Sequence, residues 1–166
     1  MIPLPAKPEF SETSAYWLAA RDVYVSCRQH GAENPFAIGI MANLDAESAF
    51  KTNVIGDDGT AFNEAQWHSD RVARILENTG IDLKAERSIP RVIYGLFWEM
   101  THVPAYENAY NQMMTETSAE NAAEIFCRYV EGAGAADAQQ RRALNAAFWT
   151  VAVSDHQDFF ATPPDP

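Results

Sequence analysis

Apolar residues return every three to four positions along most of the chain, the spacing of one buried face on an α-helix. Tyr16, Ala19, Ala20, Val23 and Cys27 form one such stripe, with Ser11 as a candidate N-cap and Gly31 as a stop, which predicts a first helix. Asn34 followed by Pro35 is a capping residue ahead of the favoured first helical position. Phe36, Ile40, Met41 and Leu44 then continue a second helix to about Ser48. Between Lys51 and Asn63 the rhythm breaks: β-branched stretches flank Gly56, Asp57, Asp58 and Gly59, residue types that accept turn conformations, and a small hairpin is predicted. Helical patterning resumes over 64–78, closed by Gly80, and over 90–100, where Val92, Ile93, Leu96 and Phe97 keep the 3.6 period. Three more helices are predicted over 105–114, 119–130 (capped by Thr117 or Ser118) and 137–153, separated by Pro104 and the loop at Gly132 to Gly134. Prolines at 3, 5 and 8 make residues 1–10 an extended arm, and the tail 161–166 reads the same way. No repeat or linker divides the chain, so the expectation is a single mainly α domain over residues 1–166 with one small β-hairpin.

Composition narrows the function classes. The 166 residues suit one domain, and 47% apolar residues with 9 Phe, 6 Tyr and 4 Trp can fill its core. Twelve Lys and Arg against 23 Asp and Glu give a net charge of -11, which repels phosphate backbones and anionic lipid heads, so neither nucleic acid nor membrane is an expected partner. The first ten residues hold three prolines and no apolar run of signal-peptide length, so the chain is expected to carry no signal peptide and to stay in the cytoplasm until assembled or released. The longest apolar stretch, 36–44, is about half of the ~18 residues a membrane span needs. Cys27 and Cys127 both fall in helical patterns and read as reduced core thiols. The four histidines show no metal-ligand spacing, and no cofactor or metal is expected.

Candidate chemistry is concentrated in 44–71, LDAESAFKTNVIGDDGTAFNEAQWHSDR, where a helix ends in a carboxylate, a polar hairpin follows, and a Gln-Trp-His run is expected to begin the next helix. Glu47 lies three positions after Leu44 and seven after Ile40, on the face those residues bury, so its carboxyl is expected at the rim of the core. Desolvation there would raise its pKa, as a general acid near neutral pH requires. Pairing with Lys51 is the structural alternative.

ESAF, then GDDGTAF, then QWHSDR resembles the lysozyme-like domains of phage tails, in which a catalytic Glu precedes Ser and an aromatic, a D-G hairpin, and a Gln-Trp-His-x-x-Arg run. YGLFWEMT and AAEIFCRYVEGAG are similar to later segments of that family, so the likeness covers roughly residues 34–148. It implies the mostly helical lysozyme fold, a glycan cleft, and cleavage of the peptidoglycan backbone, with phage tail or other assembly proteins as partners and virion association as the setting. Glu47 matches the acid that protonates the glycosidic oxygen. Asp57 and Asp58 fall where related lysozymes place a carboxylate that steadies the oxocarbenium ion or activates water, although Asp also simply forms turns. Gln66 matches a glutamine whose amide orients acid and substrate. Thr60 either orients the water or fills a strand position. Trp67 either stacks on a sugar or packs on the core, and His68 either lines the cleft or is satisfied structurally. Arg71 is expected to pair with Asp57, Asp58 or Glu99, and Glu99 is read as a buried structural partner rather than a second cleft carboxylate.

Asn63 and Glu64 stand where the family has Gly and an apolar residue, which places both beside the substrate path. Asn tolerates the positive φ that glycine serves, while Glu64 adds a carboxylate near the acid. Three readings follow: a muramidase, a lytic transglycosylase using Glu47 alone as acid and then base, and a catalytically impaired glycan-binding or interaction module on the same fold.

Overall fold

The computed structural model describes residues 6–52 and 67–163, together with the backbone of two strands at 55–56 and 61–62. The elements are α1 (Ala15–Gln29), α2 (Asn34–Ser48), β1 (Ile55–Gly56), β2 (Ala61–Phe62), β3 (Trp67–His68), α3 (Ser69–Thr79), α4 (Ile89–His102), α5 (Pro104–Thr115), α6 (Ala119–Phe126), a π-helical turn (Cys127–Glu131), α7 (Ala136–Asp155) and α8 (Gln157–Ala161). The mainly α expectation holds. The hairpin acquires a third strand: β1 pairs with β2 in antiparallel register, Ile55 opposite Phe62, and β2 pairs with β3, Phe62 opposite Trp67.

Helix α2 is the axis of the molecule. Eleven of its residues are buried, from Phe36 through Asp45 and again at Ser48, and it packs on α1, α6 and α7. Such all-round burial is that of a core helix rather than an amphipathic surface one. Gly39 permits the closest approach: a Cβ there would lie 2.9 Å from backbone atoms of Ala122 and Ala123. Four residues on, Asn43 is fully buried and ties three helices together. Its amide donates to the Gly39 carbonyl (2.7 Å) and the Ala123 carbonyl (3.0 Å) on α6, and its oxygen accepts from Arg142 Nε (3.1 Å) on α7. A buried amide with these partners leaves no unmet donor, so the close packing carries little desolvation cost.

The end of α2 has no glycine. Ala49 (φ 52°) and Phe50 (φ 62°) both adopt the left-handed conformation, each at a cost of about 1–2 kcal/mol. Burial of Phe50 against Tyr16 and Trp149 holds the turn in place. Strain of this kind is kept where surrounding packing over-determines it, commonly beside functional groups, and Glu47 lies two residues away.

Three expectations are corrected. The helix expected from residue 64 starts at Ser69, because Trp67 and His68 extend the sheet as β3. The helix expected through Val130 leaves α geometry at Cys127 and widens into the π-turn, which closes at Gly132 (φ 78°). Past Asp155 the chain forms one more short helix, α8, whose Phe159 and Phe160 are buried. The cysteines are free and buried; burial raises both thiols, Cys127 to about 12. No helix among the described residues is long and apolar enough to cross a membrane.

Candidate active site

A cleft of about 500 Å³ opens at the C-terminal end of α2, between the N-terminal arm and α7. Ala6, Lys7 and Pro8 form one wall, Asp45 to Ala49 the floor, and Arg141, Arg142 and Asn145 the other wall. Glu47 sits on the floor with 26% of its side chain exposed, enough for a bound molecule to reach the carboxyl. A larger hollow of about 710 Å³, lined by Asn34, Ser118, Glu120 and Thr150 among others, contains no carboxylate held in a cluster of this kind.

The partner of Glu47 is not Lys51 but Arg142, whose Nη2 donates to Glu47 Oε1. The same nitrogen lies 3.3 Å from Glu131 Oε2, so one guanidinium edge serves two carboxyls from two elements. Glu131 ends the π-turn. Its side chain is 6% exposed and its second oxygen, Oε1, has no hydrogen-bond partner among the described residues. Burial raises the Glu131 carboxyl to about 7, with Glu47 adding to the rise and Arg142 and Arg71 opposing it. The residue therefore changes charge near neutral pH, as groups in reactive sites often do.

Asp45 anchors the wall opposite. It accepts from Lys7 Nζ, Tyr16 Oη (2.8 Å), Asn145 Nδ2 (3.0 Å) and Trp149 Nε1 (3.1 Å), joining the arm, α1 and α7 at a side chain only 3% exposed. Burial, then the adjacent Asp45, push the Tyr16 phenol well up, so it stays a donor. The N-terminal arm is thus part of the cleft.

A third cluster braces the sheet. Glu99 on α4 is fully buried and accepts from Trp67 Nε1 (3.1 Å), Arg71 Nε (2.9 Å) and Arg71 Nη2 (2.6 Å). Arg71 also donates from Nη1 to the Val130 carbonyl (2.8 Å) and lies 5.0 Å over the Tyr106 ring. Burial disfavours the Arg71 charge, but the hydrogen bonds and charge of Glu99 outweigh it and raise the guanidinium further. One carboxylate thereby fixes β3, α3 and, through Val130, the turn that carries Glu131.

Among the residues singled out from sequence, the cleft gathers Glu47. Trp67 takes its packing alternative: it is fully buried with its indole N–H on Glu99, leaving no ring face for a sugar. His68 is exposed at the end of β3, and Arg71 takes Glu99 from its three possible partners. Asp57, Asp58, Thr60, Asn63, Glu64 and Gln66 lie outside the described residues. Arg142, Glu131, Asp45, Asn145 and Lys7 were not anticipated. The legible signal was polar residues on buried stripes, as with Asp45 one residue after Leu44 and Asn145 four residues before Trp149.

No curated protein and no solved structure matches the chain. The family model described as phage tail lysozyme matches residues 19–152, reaching back into α1 and beyond the 34–148 carried by the motifs. A central buried helix ending in an accessible glutamate, a cleft at that helix end and a small antiparallel sheet later in the chain accord with that match, and the chain belongs to the phage tail lysozyme family.

Proposed function

We propose that the protein is a peptidoglycan glycosidase that cleaves the glycan backbone with Glu47 as general acid. The observation that carries this reading is the placement of Glu47: on the floor of a sugar-sized cleft, at the end of a buried helix, partly open and held by Arg142. The carboxyl protonates the glycosidic oxygen as the bond to the anomeric carbon lengthens. Asp57 or Asp58, with Gln66, positions the water that attacks that carbon and faces the developing positive charge. Lys7 and Arg141 supply donors for hydroxyl, acetamido or carboxylate groups of the strand.

A net charge of -11 gives no electrostatic attraction to an anionic wall. A tail or comparable assembly that holds the enzyme against the wall supplies high effective concentration instead. Clearing of purified cell-wall suspensions tests the assignment: Glu47→Gln lowers the rate by about a hundredfold or more. Equal clearing by the parent and this variant overturns it. Mass spectrometry of released fragments distinguishes chemistry, since hydrolysis leaves reducing ends and transglycosylation an anhydro sugar.

A further inference from the structure

An arginine in contact with a general acid poses a problem. A neighbouring positive charge favours the ionised carboxylate, whereas an acid must carry its proton into the reaction. The cluster contains its own remedy. Arg142 Nη2 faces both Glu47 Oε1 and Glu131 Oε2, so one positive charge is divided between two potential negative ones. We propose that Glu131 is a positioning residue for Glu47: the two carboxyls hold one proton between them across Arg142, and ionised Glu131 claims the guanidinium so that Glu47 can keep the proton. The inference rests on the glycosidase reading for its consequence in turnover, but the shared proton is a property of the cluster itself.

Three observations of geometry support it. The π-turn at Cys127–Glu131 aims Glu131 inward at α7 instead of continuing α6. Such turns are rare and are frequently found at functional sites. Glu131 is 6% exposed, yet among the described residues its Oε1 has no partner, a costly arrangement for a permanently ionised carboxylate and a tolerable one for a carboxyl that is protonated part of the time. Arg142 is itself fixed through Nε on the buried Asn43, so its Nη2 edge stays between the two acids. The charged and titratable groups acting on Glu131 are Arg142 from α7, Glu47 from α2, Arg71 from α3 and, in its own turn, the Cys127 thiol. Tyr106 of α5 and Glu99 of α4 act on Arg71. Elevation of the Glu131 carboxyl to about 7 agrees with this arrangement.

The proton balance closes in each turnover. Glu47 gives its proton to the leaving oxygen and its new charge is met by Arg142; the attacking water gives its oxygen and one hydrogen to the anomeric carbon and its other proton to the carboxyl pair. The cluster ends with the one proton it started with.

Glu131→Gln tests the proposal, since glutamine replaces the protonated form without charge. The pH profile of kcat/KM for wall clearing should move its alkaline limb down by about one pH unit or more, because Arg142 then serves Glu47 alone. Glu131→Asp, which retains a carboxyl, should recover part of the displacement. An alkaline limb that stays in place overturns the proposal. A second readout needs no turnover. In protein carrying 13C-labelled glutamate carboxyls, NMR titration of Glu47→Gln should show Glu131 titrating at least about one pH unit below its value in the parent. An unchanged Glu131 titration overturns the sharing of the proton even if Glu131→Gln fails to fold. A parent chain that clears no wall, with the NMR displacement present, refutes the glycosidase reading and leaves the shared proton standing.

Discussion

Replacing Glu99 by glutamine should be among the most destabilising single changes in the molecule. The carboxylate has no solvent exposure and satisfies three N–H donors, two of them on Arg71, whose own side chain is only 13% exposed. Glutamine keeps the shape but offers one acceptor oxygen for two. Its NH2 group would face N–H donors, and Arg71 would lose its counter-charge while remaining buried. Breaking one partner of a buried pair costs about 3–5 kcal/mol. The Arg74 contact at 3.9 Å adds little, because that side chain is 38% exposed. For a domain of this size, each kcal/mol lowers the melting temperature by about 2–4 °C, so Tm should fall by roughly 6–20 °C. Urea unfolding followed by far-UV circular dichroism gives the free energy, and tryptophan fluorescence reports on Trp67 beside the site. Arg71→Met should cost a comparable amount by leaving Glu99 unpaired. The double variant Glu99→Gln with Arg71→Met should cost less than the sum of the singles by about 2 kcal/mol, because neither charge is then stranded. A Glu99→Gln variant within about 1 kcal/mol of the parent, or a double variant equal to the sum, would refute the reading of Glu99 as the brace of the sheet.

Other consequences can be checked alongside. Gly39→Ala places a methyl 2.9 Å from the α6 backbone, which cannot rotate away, so α2 and α6 must part; urea unfolding should show a loss of about 1–3 kcal/mol. Glu131 binds its proton more tightly in the folded chain (about 7) than at the ordinary 4.5, so this contribution is complete below the ordinary value and disappears as pH rises through 7. Its size is on the order of 3 kcal/mol, and the difference in stability between parent and Glu131→Gln should follow that curve from pH 4.5 to 7; a constant difference contradicts it. Asp45→Ala orphans donors from the arm, α1 and α7 together, and chemical denaturation should register a loss of about 3–5 kcal/mol, with Lys7→Ala costing much less.

Local rules made α2 legible almost to the residue. Asn34 and Pro35 mark its start, and Phe36, Ile40, Met41 and Leu44 fix which side is buried. The hairpin followed from the glycine and aspartate run, and Glu47 from its place on the buried stripe. Periodicity failed where long-range pairing decides the conformation. Trp67 and His68 have helix-compatible neighbours, but pairing with Ala61 and Phe62 draws them into the sheet. The π-turn has no signature in a 3.6-residue pattern, since a single widened turn merely changes which face the next side chain occupies. The partner of Glu47 was hidden for the same reason: Arg142 is one of two adjacent arginines on a long helix, and only the packing of α7 on α2 selects it.

That distant partner bears on how the protein is made. The guanidinium that meets Glu47 is encoded 95 positions later, so a chain growing at 5–20 residues per second completes the helix bearing the acid roughly 5 to 20 s before its counterpart leaves the ribosome. During that interval the nascent polypeptide has an exposed apolar rod and no assembled centre. The contact between Glu47 and Arg142 cannot form until α7 has been made, so the two sides of the cluster meet only after the intervening helices exist to carry them together.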